Sequence, residues 1–108
     1  MITSYVSPEG SLLYLSLVGP LDRSAKGDLA AEFDDRVRVG TRRCILDLTG
    51  AESCDAAGLA LVGELANRAA QRTMRFSVSA GNSPVADAVR SQAGDAWLDV
   101  LPELPLSA

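Results

Sequence analysis

The chain has 108 residues, 47% of them hydrophobic, and 14 acidic against 10 basic side chains give it a net charge of −4 with no histidine. That length suffices for one hydrophobic core that buries roughly two-thirds of the unfolded surface without metal or disulfide support. The acidic balance, basic residues scattered apart from Arg42-Arg43, and few aromatic rings give no footprint for nucleic acid, while the lack of histidine removes the commonest general base and metal ligand.

Two cysteines, Cys44 and Cys54, have neither CxxC spacing nor neighbouring histidines, so both are expected as free structural thiols. No basic segment leads into an apolar stretch at the start, and no apolar run approaches the ~20 residues that span a bilayer. A cytoplasmic protein without direct membrane contact is the expectation.

In chain order, Ile2 to Val6 and Ser11 to Leu17 read as a hairpin around the turn Ser7-Pro8-Glu9-Gly10. After Gly19-Pro20 the period changes. Leu29, Phe33 and Val37 recur every four residues and predict an amphipathic first helix, capped by Asp22 or Ser24. Cys44 to Leu48 is nearly continuous in apolar character, as a central strand buried on both faces would be, and Gly50 follows it. The next segment, Thr49 to Cys54, reads as a polar loop.

A second helix follows, with Leu59, Val62, Ala66 and Ala69 on its apolar stripe, with Gly58, Ala60 and Gly63 small enough for close packing, and with its end at Arg72-Thr73. Met74 to Ser79 alternates as a strand with Met74, Phe76 and Val78 on one face. Ser83-Pro84 signals a third helix through Val85, Ala88, Val89 and Gln92 to about Gly94, and Trp97 to Leu101 reads as a last strand. The expected fold is therefore α/β: a single layered domain over residues 1–101, with a mixed sheet of about five strands, three main helices and a tail at 102–108.

Two motifs resemble the STAS domains of anti-sigma-factor antagonists, and the resemblance covers nearly the whole chain. One is Gly19-Pro20-Leu21-Asp22 with Leu29 beyond it, similar to the Gly-x-Leu-Asp that leads into the family's first helix. The more specific one is Leu46-Asp47-Leu48 followed by Asp55-Ala56-Ala57-Gly58-Leu59. In the family the second motif commonly reads Asp-Ser-Ser-Gly or Asp-Ser-Thr-Gly, and a cognate kinase that is also the anti-sigma factor phosphorylates the hydroxyl residue before the glycine. Here that position is Ala57, which cannot carry phosphate.

The resemblance implies a non-enzymatic regulator of bacterial transcription that binds an anti-sigma factor of kinase-like ATPase fold, as a monomer or weak dimer, without a cofactor. Phosphorylation would add about −1.5 to −2 charges and three acceptor oxygens to such an interface, and alanine holds it in the unmodified state. Asp22, Ser53, Asp55, Ala57, Gly58 and Leu59 are the expected contact residues. Ser53 is the nearest hydroxyl that could replace the missing acceptor, or a serine bonding its own backbone. Asp55 and Asp22 could each cap a helix, touch a basic partner, or do both, and Gly58 and Leu59 could equally be packing residues.

Two further readings come from other classes. STAS-like proteins also occur as small companions of ABC transporter ATPases, and a small-ligand sensor would need an apolar pocket. Catalysis has least support, because there is no P-loop, no Gly-x-Gly-x-x-Gly and no Ser/His/Asp set. The pairs Asp34-Asp35 and Asp95 with Asp99 read as solvated carboxylates.

Overall fold

A computed structural model of the chain describes residues 1–81 and 85–93. β1 (Ile2–Val6) and β2 (Leu12–Leu21) form an antiparallel hairpin in which Ile2 faces Leu17 and Val6 faces Leu13. Its turn closes through Gly10, whose φ of +78° is a left-handed conformation that suits glycine, and through Ser7 Oγ, which accepts from Leu12 N at 3.1 Å. α1 (Arg23–Arg36) then crosses over to β3 (Arg43–Cys54), and α2 (Ala56–Gln71) crosses over to β4 (Arg75–Ser79). α3 (Ala86–Ala93) completes the described chain.

The sheet order is β1-β2-β3-β4, with β2, β3 and β4 parallel, so the expected mixed α/β layer is present with four strands among the described residues and three helices. β3 lies between two partners, and Cys44, Ile45, Leu46 and Leu48 are wholly buried, as the continuous apolar run requires. One core joins Leu13, Leu15 and Leu17 of β2 to Leu29 and Phe33 of α1 and to Leu61, Val62, Leu65 and Ala69 of α2. Alternate positions on β2 supply one face of it, because side chains on a strand alternate. The expected strand over Trp97 to Leu101 and the helix start at Ser83-Pro84 lie outside the described residues.

Several local expectations are corrected. β2 does not stop at Leu17 but runs through Gly19-Pro20 to Leu21: register shifts after Ser16 and after Gly19, with Gly19 at φ +117°, accommodate the proline that lacks a donor. Since β2 reaches that far, β3 has a partner beyond Leu48. The segment read as a polar loop, Thr49 to Cys54, is therefore strand, with Ala51 buried while Thr49, Glu52 and Ser53 face water.

In α2 the buried stripe is Leu61, Val62, Leu65 and Ala69, while Leu59 and Ala66 lie half-buried at its margins. Val37 ends α1 as its C-cap, with its N–H donating to Phe33 O at 2.9 Å, and still packs into the core. On β4, Ser77 and Ser79 are buried as well as Val78.

A buried carboxylate also sits inside the sheet. Asp47 is buried on β3 and accepts from the Tyr14 hydroxyl of β2, from Thr49 N at 2.9 Å and from Thr49 Oγ1 at 2.7 Å. Burial, with the hydrogen bond to Asp47 and its charge, pushes the Tyr14 phenol well above its ordinary range. Tyr14→Phe removes one of the three donors and should cost about 1–2 kcal/mol in urea denaturation.

Both cysteines are free. Burial of Cys44 in the core raises its thiol from an ordinary 9.0 to about 12. Above pH 9 the unfolded thiol loses its proton while the folded one keeps it, so stability falls as pH rises between these values. From pH 8 to pH 10 this one group should remove roughly 1 kcal/mol, and Cys44→Ala should flatten that part of the pH profile in paired denaturation curves.

Candidate functional site

Parallel neighbours each followed by a helix must start those helices at the same end of the sheet. Leu21 of β2 and Cys54 of β3 form the last register pair, and Asp55 N donates to Leu21 O at 3.3 Å. Asp22 and Asp55 follow immediately, and each caps the helix it precedes. Ala25 N donates to Asp22 Oδ1 at 3.1 Å, which makes Asp22 rather than Ser24 the first cap. Gly58 N donates to Asp55 Oδ1 at 2.7 Å, and Leu59 N to Asp55 O at 2.9 Å opens the helical ladder. Each carboxylate also faces the positive end of its helix dipole.

Gly58 sets how tightly the two starts are held. A Cβ built there would lie 2.0 Å from Leu21 O and 2.6 Å from Leu21 C, which no side chain tolerates. The first turn of α2 therefore rests directly on the end of β2, and only glycine permits it. Leu59, half-buried, packs against the core beside it.

The structure brings Asp22, Asp55, Ala57, Gly58 and Leu59 together at the helix starts. Asp55 is exposed, Asp22 and Ala57 are half-buried, and Gly58 is buried beneath them. Ser53 stands apart from the helix start, exposed on β3 and in register with Pro20. Between them Cys54 is half-buried, and burial with the nearby Asp55 charge raises its thiol, so the protonated form dominates near neutrality.

Asp22 also borders an open depression of about 690 Å³ between the hairpin and α1, whose rim carries Asp28 and Glu32 as well. Ile2, Leu17 and Val18 give its lining an apolar part. Among the described residues no group of three or more cysteine or carboxylate side chains is arranged to hold a metal ion. No helix among them is long and apolar enough to cross a membrane.

A link between the helices is not visible in the apolar periodicity. Asp34, expected as a solvated carboxylate, bonds Arg68 of α2 at 2.7 Å, and Arg68 also meets Glu64 at 3.1 Å. Glu64 and Arg68, four apart, were the available signal. The cluster is exposed enough that it orients α1 against α2 more than it stabilises them.

Among families of known proteins, the model described as "Mlab, STAS domain" matches residues 6–101. Among solved structures, the anti-sigma factor antagonist SpoIIAA in its unphosphorylated form superposes with a TM-score of 0.70 at 15% identity, over 94% of this chain and 89% of that one. A crystal structure of Mglu superposes with a TM-score of 0.63 at 24% identity over 72% of this chain. The match takes up only 19% of the Mglu chain. At these identities the likeness is one of fold. No curated protein matches the sequence.

Gly58→Ala should destabilise the domain by roughly 3 kcal/mol through the clash with Leu21, whereas Asp55→Ala, which removes a cap and no packing, should cost about 1 kcal/mol. Urea denaturation of the two variants beside wild type checks the order. Equal costs would mean that α2 is free to move off β2.

Proposed function

This chain belongs to the STAS domain family, and on that premise we propose that it is a non-enzymatic binding module of the anti-sigma-factor antagonist type. Its partner is a regulator of kinase-like ATPase fold, engaged through the two helix starts. The observation that supports this reading is the pairing of two aspartate-capped starts around Ala57; by the motif resemblance, Ala57 takes the place of the phosphorylatable hydroxyl of such antagonists. A transient interface needs about 800 Å² from each side. The start of α2, the segment Thr49 to Cys54 and the entry to α1 supply it together, with Asp22, Ser53, Asp55, Ala57 and Leu59 among the contacts and Gly58 beneath.

The consequence of Ala57 is a contact without a phosphate switch. A phosphoserine there would place about two negative charges beside Asp55, at an interface that the unmodified residue leaves closely packed. With alanine, control passes to the amount of protein or to the nucleotide on the partner. Ser53 lies on the strand, opposite Pro20, and so presents its hydroxyl from a different place than a helix-start acceptor would.

A second reading, a companion subunit of an ABC transporter ATPase, draws support from the same residue, because a permanent subunit has no need of phosphate-controlled release. The two differ in the partner recovered. Pull-down from the native cell extract with wild type should retain a kinase-type anti-sigma factor, and Ala57→Asp should lose it while changing stability by less than about 0.5 kcal/mol. Recovery of a transporter ATPase by wild type would select the second reading, and retention by both proteins of the same kinase would move the interface away from Ala57.

A further inference from the structure

At the end of the sheet opposite the helix starts, we infer that a recess lined by Arg42, Arg72 and Arg75 binds the phosphoryl group of a small molecule. The recess measures about 440 Å³ and is completed by Thr41, Thr73 and the exposed Val39. It is separate from the surface around Ala57, and the inference does not depend on the function proposed for that surface.

Parallel pairing gathers the three arginines. Arg75 N donates to Arg42 O at 2.9 Å, which sets the start of β4 beside the residue preceding β3, and Arg72 closes α2 just before β4 begins. In the sequence these residues lie up to 33 positions apart (75 − 42), and only the crossover brings them to one rim. All three side chains are exposed, and among the described residues no carboxylate pairs with any of them. Three like charges around one hollow repel one another, and an anion with several oxygens relieves that repulsion while accepting from their guanidinium forks.

The backbone at the recess is unusual as well. Thr73 has φ +56° and is the one described residue other than glycine with a positive φ. Its N–H donates to Ala70 O at 3.0 Å and its hydroxyl to Arg72 O at 2.6 Å, which hold the sharp turn from α2 into β4. Residues in this conformation persist where the surroundings over-determine them. The turn delivers Arg72 and Arg75 to the same hollow.

The concave shape and the chain's net charge of −4 favour a small phosphorylated molecule over an extended polyanion, which the rest of the surface would repel. The test uses the full chain and inorganic pyrophosphate as probe, with amide shifts followed by NMR against sodium chloride of matched ionic strength. Saturable shifts at Arg42, Thr73 and Arg75 are expected, weakened about fivefold or more by Arg72→Ala and by Arg42→Ala. Shifts no larger than those with chloride, shifts centred on Ala25 and Gly58, or shifts unchanged in both variants would overturn the site. Sedimentation with phosphatidylglycerol vesicles is the second arm: no binding supports a small soluble ligand, and binding that requires Arg72 would overturn it in favour of a lipid headgroup.

Discussion

The contact between Gly58 and the carbonyl of Leu21 is the constraint on which the geometry of both helix starts depends. With only a hydrogen where a Cβ would come within 2.0 Å of that oxygen, the first turn of α2 can lie on the last residue of β2. The same carbonyl accepts from Asp55 N, so one atom ties the strand to both the cap and the first turn of the helix. This brings the Asp22 and Asp55 caps to one surface. A looser packing would keep both helices and lose the fixed relation between their starts.

Long parallel strands carry that surface away from the other pole of the molecule. β2 and β3 stay paired past the point where their apolar runs end, because bulges at Ser16 and Gly19 let the ladder continue through Pro20. Inside the ladder, Asp47 is a buried carboxylate whose donors are Tyr14 and Thr49, and it joins β2 to β3 where the core gives way to polar residues. Leaving such a group unsatisfied is costly, so the network also specifies the register. The result is a sheet with aspartates at the end where the helices begin and arginines at the end where β3 and β4 begin.

Charge distribution gives the two poles different chemistry. At the helix starts, capping consumes one oxygen of each aspartate and leaves the rest of the carboxylate toward water, beside a half-buried alanine that adds no charge of its own. Under the proposed function, the partner would bring basic groups to the rim of this surface. At the opposite pole Arg42, Arg72 and Arg75 surround a hollow, where multidentate guanidinium recognition favours an oxyanion. Of the two cysteines, the Cys54 thiol is raised rather than lowered, and Cys44 is enclosed in the core.

Local chemistry alone determined the order of elements from β1 to α3, the hairpin at Gly10, the central position of Cys44 to Leu48, and Asp55 as a cap, because period, turn residues and capping residues act over a few neighbours. The motif around Ala57 was legible in the same way, since the resemblance rests on contiguous residues. What depended on the tertiary structure were features set by a distant partner. Thr49 to Cys54 is strand because β2 extends beside it, and the buried stripe of α2 turns on Leu61 and Leu65 because the helix is pinned at Gly58. Asp34 meets Arg68 across two helices, and arginines scattered along the chain become one cluster. Each of these follows from a parallel crossover, which joins residues tens of positions apart and leaves no signature in the spacing of either segment alone.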